Sequence, residues 1–183
     1  MRFVVDARYV KDRPGGIGAY TEALIERLPG LAPARRFHLW THPSRPRPVE
    51  APNATCATVP VAADSLRTLL WPTLLGPLGA GDVAHFPFSL LGRGVPCASV
   101  VTIHDLMWLL RPELVDRRPL VRRARQGYYK LGMRWAMRRA TRIIAVSKAT
   151  ADDILRAEPS SRDRIRVTYN APSVACRPPD RAG

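Results

Sequence analysis

The loop Arg13-Pro14-Gly15-Gly16-Ile17-Gly18 follows an apolar run, Phe3-Val4-Val5, and leads directly into a helical pattern. Glycine lets backbone N–H groups approach a ligand closely, and a helix N-terminus carries about half a positive charge, so this corner suits a phosphate. The glycines come late after the strand and form no G-x-G-x-x-G, so the loop is not a dinucleotide fingerprint, and a purely structural turn is the competing reading. Two histidines stand where apolar runs end. His104 closes Ser99-Val100-Val101-Thr102-Ile103, and His85 closes Asp82-Val83-Ala84. An imidazole so placed can donate a hydrogen bond to a hydroxyl or phosphate, or take up a proton near neutral pH; a histidine satisfied within the fold suits each position equally well. Asp105 either orients the His104 ring or caps a short helix that starts near Leu106. Cys56, Cys97 and Cys176 lie far apart without C-x-x-C spacing and read as buried or incidental thiols, the histidines show no H-E-x-x-H, and no metal centre is expected.

The elements that must hold these groups alternate along the chain. Strands are expected over 2–5, 37–41, 56–61, 82–86, 99–104, 142–146 and 164–168, and helices over 17–28, 65–75, 119–139 and 148–157. Ser147 reads as the N-cap of the last helix, with Thr150 as a second candidate. This alternation predicts a Rossmann-like α/β domain, a parallel sheet with helices on both faces. Such sheets bind ligands beyond the C-terminal ends of their strands, which is where both histidines and the glycine loop fall. With 183 residues and 46% hydrophobic content, the chain can bury the core of one domain. Pro43-Ser44-Arg45-Pro46-Arg47-Pro48 is a surface loop. Asp6 stands where a signal peptide needs its apolar centre, and no apolar run reaches the roughly 20 residues of a membrane span, so a cytoplasmic location is expected.

Lys and Arg number 29 against 15 Asp and Glu, a net charge of +14 that favours phosphate-bearing partners. Much of this charge lies between Arg117 and Arg142, where Arg118, Arg122 and Arg125 alternate with Leu120, Ala124, Tyr128, Leu131 and Trp135 at helical spacing. One reading is a solvated basic face above a core-facing stripe. The other is an interfacial helix on anionic lipid, which would place the protein peripherally on the inner face of a membrane. No recognition motif accompanies the charge, so nucleic acid is not expected as a partner.

Asp6-Ala7-Arg8, Gly16-Ile17-Gly18-Ala19-Tyr20-Thr21, His85-Phe86-Pro87, Val101-Thr102-Ile103-His104-Asp105-Leu106, Ile144-Ala145-Val146-Ser147 and Val167-Thr168-Tyr169-Asn170 occur in that order. In this the chain resembles the N-terminal, acceptor-side domain of the family 4 glycosyltransferases. The resemblance covers Asp6 to about Asn170. It implies one half of a GT-B fold and a retaining, hexosyltransferase-type reaction in which a nucleotide-sugar donor gives its sugar to a glycan or lipid-linked acceptor, with no metal and no further cofactor. By the same resemblance, Gly15 and Gly16 would contact the donor phosphates, His104 would contact the transferred sugar, and His85 would line the acceptor side.

The family's C-terminal domain, which carries most of the nucleotide site, is not recognisable here. Residues 1–172 are expected to form the N-terminal-type domain, and 173–183 the start of an interdomain linker or tail. A C-terminal GT-B domain is then a required partner in cis or in trans, and the chain alone is expected to be inactive. Two positions depart from the family's pattern: Asn170-Ala171 stands where Asn-Gly is usual, and Ala19 where a basic residue is frequent. A non-catalytic module that binds anionic lipid or glycan through its basic helix is the alternative reading.

Overall fold

The computed structural model describes residues 1–13, 15–70, 76–115 and 118–171. Its strands are β1 (Arg2–Ala7), β2 (Arg36–Thr41), β3 (Ala54–Thr58), β4 (Val83–Phe86), β5 (Ala98–Ile103), β6 (Arg142–Ala145) and β7 (Ile165–Val167). They form one 7-stranded sheet in the order β3-β2-β1-β4-β5-β6-β7, and every neighbouring pair is parallel. Sheets of this kind are buried on both faces, which explains the continuous apolar runs Phe3-Val4-Val5 and Val100-Val101-Thr102-Ile103. The chain winds outward from β1 to β3, then returns to place β4 on the other side of β1, with Phe3 opposite Val83 and Val5 opposite His85. The switch in strand order therefore opens a crevice beyond the carboxyl ends of β1 and β4.

Successive strand residues alternate between the two faces. One face carries Val4, Ala84, Phe86, Val101, Ile103, Ile143 and Ala145, packed with Met133, Ala136 and Met137 of α5 (Pro119–Arg139). The other carries Val5, Ala7 and Leu39, packed with Ile25 of α1 (Gly16–Leu31). Gly132 lets α5 come close, since a Cβ there would stand 2.5 Å from Leu90 Cδ2 and 3.2 Å from Leu69 Cδ1. Of the core-facing stripe expected for this helix, Tyr128 and Trp135 pack against the core, whereas Ala124 is exposed, Leu120 is 83% exposed and Leu131 52% exposed. The close approach that Gly132 permits seats Met133 and Met137 instead.

Most boundaries fall near their expected places, and the exceptions have local causes. β3 begins at Ala54 and ends at Thr58, after which the Val59 N–H turns to the Thr41 carbonyl and Pro60 has no N–H to offer a ladder. α1 continues through Pro29 because the loss of one donor in the last turn leaves the closing bond from Ala32 N–H to the Leu28 carbonyl intact. α2 (Leu66–Leu70) is the described part of the helix expected over 65–75. α3 (Met107–Leu110) is the short helix expected near Leu106, whereas α4 (Pro112–Val115) and the 3₁₀ turn Pro159–Arg164 are too short to show a period. α6 (Lys148–Ala157) starts at Ser147, whose hydroxyl accepts from Thr150 N–H at 3.0 Å. The tail or linker expected over 173–183, Cys176 included, lies outside the described residues.

At the carboxyl end of β1 the chain buries an ion pair. Arg8 Nε donates to Asp6 Oδ1 at 2.8 Å and Nη2 to Oδ2 at 2.5 Å, while Nη1 donates to the Val61 carbonyl at 2.8 Å and to Thr68 Oγ1 at 2.9 Å. Both side chains are fully buried. The guanidinium thus ties the segment from Val61 to Thr68 across the end of the strand.

Candidate functional site

The phosphate-suited corner is open. Gly15 is the N-cap of α1, in extended backbone with φ −76° and ψ −176°; no side chain caps the helix and its first turn holds no acidic residue. A Cβ at Gly15 or Gly16 would meet nothing within 4 Å. Neither packing nor a left-handed backbone calls for glycine at these positions. What two glycines leave there is bare backbone, with the first-turn N–H groups unpaired within the helix and pointing along its positive end.

His104 follows β5 directly and is half-buried. Its Nε2 lies 3.0 Å from the Pro87 carbonyl oxygen. A carbonyl can only accept, so Nε2 carries the hydrogen, and in the neutral ring Nδ1 is left as an acceptor. The edge of the ring meets Tyr20 of α1 at 4.9 Å between centroids, and Thr150 Oγ1 donates to the His104 carbonyl at 3.3 Å. Asp105 resolves to the cap: its Oδ1 accepts from the Met107 N–H at 2.9 Å. Orientation of the ring comes from Pro87, on the loop after β4.

His85 stands at the end of β4 and turns toward Thr102, with Nε2 2.9 Å from Oγ1; the same hydroxyl lies 3.2 Å from Tyr20 Oη. Burial, with repulsion from nearby His104, pushes its pKa from the ordinary 6.5 down to about 4. A depressed histidine favours the folded state above the unfolded value and withdraws that support as pH falls toward the folded one. Stability should therefore fall between pH 6.5 and about 4, with His85 contributing on the order of 3 kcal/mol of the loss. Denaturant titrations across that window check this, since His85→Gln should flatten the slope and an unchanged slope would contradict it.

Beside His104 lies a cavity of about 260 Å³, lined among others by Tyr9, Ile17, Asp64, Phe88, Asp105, Trp108 and Tyr129. Trp108 of α3 stacks on Tyr129 of α5 at 4.8 Å and 11°, and Tyr9 meets Phe88 at 4.7 Å. Ile17, in the first turn of α1, and His104 both face this space, so the open helix end and the imidazole border one crevice at the switch point. A larger depression of about 530 Å³ lies along edge strand β3, lined by Arg47, Glu50 and Cys56 among others, and shares no residue with this crevice.

The structure thus brings Ile17, which follows Gly15 and Gly16 at the start of α1, and His104 to one cavity, while the two glycines are not among its lining residues. His85 lies one layer behind, reaching the site through Thr102 and Tyr20, and is not among the cavity's lining residues. Arg118 is the N-cap of α5, Arg125 is exposed and Arg122 is partly buried. The aromatic wall of Tyr9, Trp108 and Tyr129 was missed in the sequence because three separate elements supply it. Cys56 and Cys97 are half-buried thiols that burial pushes above their ordinary pKa. Among the described residues, no three His, Cys, Asp or Glu side chains gather as a metal would require, and no helix is long and apolar enough to cross a membrane.

An all-parallel, doubly covered sheet with an open helix N-terminus at its switch point is a Rossmann-like α/β arrangement of the kind that forms one half of a GT-B glycosyltransferase. The family model for Glycosyltransferase Family 4 matches residues 14–173, and the chain belongs to that family. A search of curated proteins returned no match to the chain.

Proposed function

We propose that this domain serves a retaining glycosyltransferase that moves a hexose from a nucleotide-sugar donor to an acceptor hydroxyl. The observation that carries the reading is the uncapped, glycine-only start of α1 opening beside His104. In the transfer, the bond from the anomeric carbon to the diphosphate oxygen breaks and its electron pair leaves with the diphosphate. The acceptor oxygen then bonds to that carbon on the same face and gives its proton to the departing diphosphate oxygen. Backbone N–H groups of the first turn of α1 meet the charge that grows on the diphosphate, and being fixed in place they need no reorganisation to do so. His104 Nδ1 accepts from a hydroxyl of the transferred sugar. No resident metal or cofactor is required, and the reaction proceeds in the cytoplasm.

A C-terminal GT-B domain, in cis or in trans, supplies the rest of the donor site, so the domain by itself should show no turnover with a panel of nucleotide sugars. Turnover by the isolated chain would contradict this. The phosphate assignment has its own test in Gly15→Asp. Aspartate is a good N-cap and fits the open space, so the folded state should gain about 0.3–1 kcal/mol. Its carboxylate would nonetheless repel a diphosphate, weakening UDP, GDP or ADP binding by about tenfold or more. Binding that survives in a stabilised variant would remove α1 from the donor site.

A second reading, membrane attachment, draws on a specific observation. Met107, Leu110, Leu114, Val115 and Leu120 are all exposed large apolar side chains, and they fall within one short stretch beside the exposed Arg111, Arg123 and Arg125. Apolar side chains interleaved with arginine suit an anionic bilayer surface. Sedimentation with vesicles of phosphatidylglycerol and phosphatidylcholine should show binding that Leu114→Ser with Leu120→Ser and Arg125→Glu reduces by tenfold or more, on the order of the ~1 kcal/mol carried by each basic contact plus the lost apolar burial. Equal sedimentation of this variant would exclude the surface.

A further inference from the structure

The cavity beside His104 differs in charge from the rest of the molecule. The chain carries +14, yet the described residues lining this space include no lysine or arginine, while Asp64 and Asp105 both face it. Asp105 spends Oδ1 on the Met107 N–H, and among the described residues its Oδ2 has no such bond. Asp64 lies close enough to the phenols of Tyr9, Tyr128 and Tyr129 to add to the upward push that burial gives each of them. The remaining wall is flat and apolar: the stacked Trp108 and Tyr129, Phe88 against Tyr9, Leu90 and Met133.

We propose that this cavity receives a neutral, polyhydroxylated acceptor, that is a saccharide unit without phosphate or carboxylate, and that Asp64 and Trp108 set this preference. The inference rests on the glycosyltransferase reading and names the acceptor class for it. Ionised carboxylates only accept hydrogen bonds, so they pair with hydroxyl groups and offer an anion like charge in place of a donor. Rings supply the apolar wall against which a sugar's carbon face can lie, and few polar groups then fix its orientation. An anionic acceptor would meet like charge from both aspartates, a repulsive device worth about fivefold or more in affinity for each. Charges are thus divided across His104: the open end of α1 suits the donor's phosphates, and the carboxylate-lined cavity suits an uncharged sugar.

The test uses the intact chain and NMR, following the Trp108 indole N–H, which Trp108→Phe identifies. The probes are the methyl glycosides of glucose, mannose and galactose, set against glucose 6-phosphate, mannose 6-phosphate and galactose 6-phosphate. At least one neutral glycoside should shift the Trp108 signal at lower concentration than any phosphate ester, and Asp64→Asn should strengthen phosphate-ester binding about fivefold or more. Asp64 is exposed, so this variant keeps the fold. A phosphate ester binding first, no shift from either class, or a preference unaltered by Asp64→Asn would overturn the proposal. Titrating UDP, GDP and ADP against the Gly16 and Ile17 amides of the same sample reads the donor site separately. Silence there with a sugar response retained would overturn the transferase reading and leave the neutral-sugar cavity standing.

Discussion

Arg8→Met is expected to unfold most of the protein's stability margin, at a cost of about 3–5 kcal/mol out of the roughly 5–15 typical of a domain. Methionine approximates the length of the arginine stem, so the cost does not come from a void. It comes from leaving the Asp6 carboxylate fully buried without its cation, and from stripping donors from the Val61 carbonyl and Thr68 Oγ1. Urea denaturation measures the loss directly. The double variant Asp6→Leu with Arg8→Met should recover most of it, since a buried pair replaced by apolar side chains is often close to neutral. A double variant as unstable as Arg8→Met would mean that the Val61 and Thr68 contacts, rather than the pair, carry the energy. Sugar binding near Asp64 should weaken in Arg8→Met, because Asp64 lines the cavity from within the tied segment between Val61 and Thr68.

His104→Ala should lower kcat by about 10²- to 10³-fold in the enzyme completed by its C-terminal domain, the usual cost of removing one preorganised hydrogen-bonding group from a transition state. KM for the donor should move far less, because the phosphates bind elsewhere. Pro87 fixes which ring nitrogen carries the hydrogen, so His104→Asn should restore only part of the rate; its amide can accept but lacks the same reach. Steady-state kinetics separate these outcomes. An unchanged kcat, or a loss confined to KM, would remove His104 from contact with the transferred sugar.

The sheet was legible because its strands are apolar runs buried on both faces, and a run such as Val100-Val101-Thr102-Ile103 admits no other use. His104 was legible for a related reason: the residue that ends such a run must stand at the carboxyl edge. The face of α5 was legible only in part. Leu120 and Leu131 point to solvent, and the close approach that seats Met133 and Met137 depends on Gly132, whose smallness matters only against Leu90 and Leu69. The cavity wall was hidden for a similar reason, since Tyr9, Trp108 and Tyr129 come from three elements and meet only after folding. Arg8 stood in a recognisable motif, but its burial beside Asp6 depends on where Val61 and Thr68 settle, and no local pattern records that.

The most direct test of the central claim, that the start of α1 beside His104 holds the donor's diphosphate, is an NMR titration of the chain with UDP, GDP and ADP. The account predicts that at least one of them shifts the amides of Gly16, Ile17 and Gly18 together with the His104 ring, with a Kd on the order of 1 mM because the backbone N–H groups act without the second domain's contacts. Shifts confined to the basic face of α5, or no shift at those amides with any of the three, would contradict it.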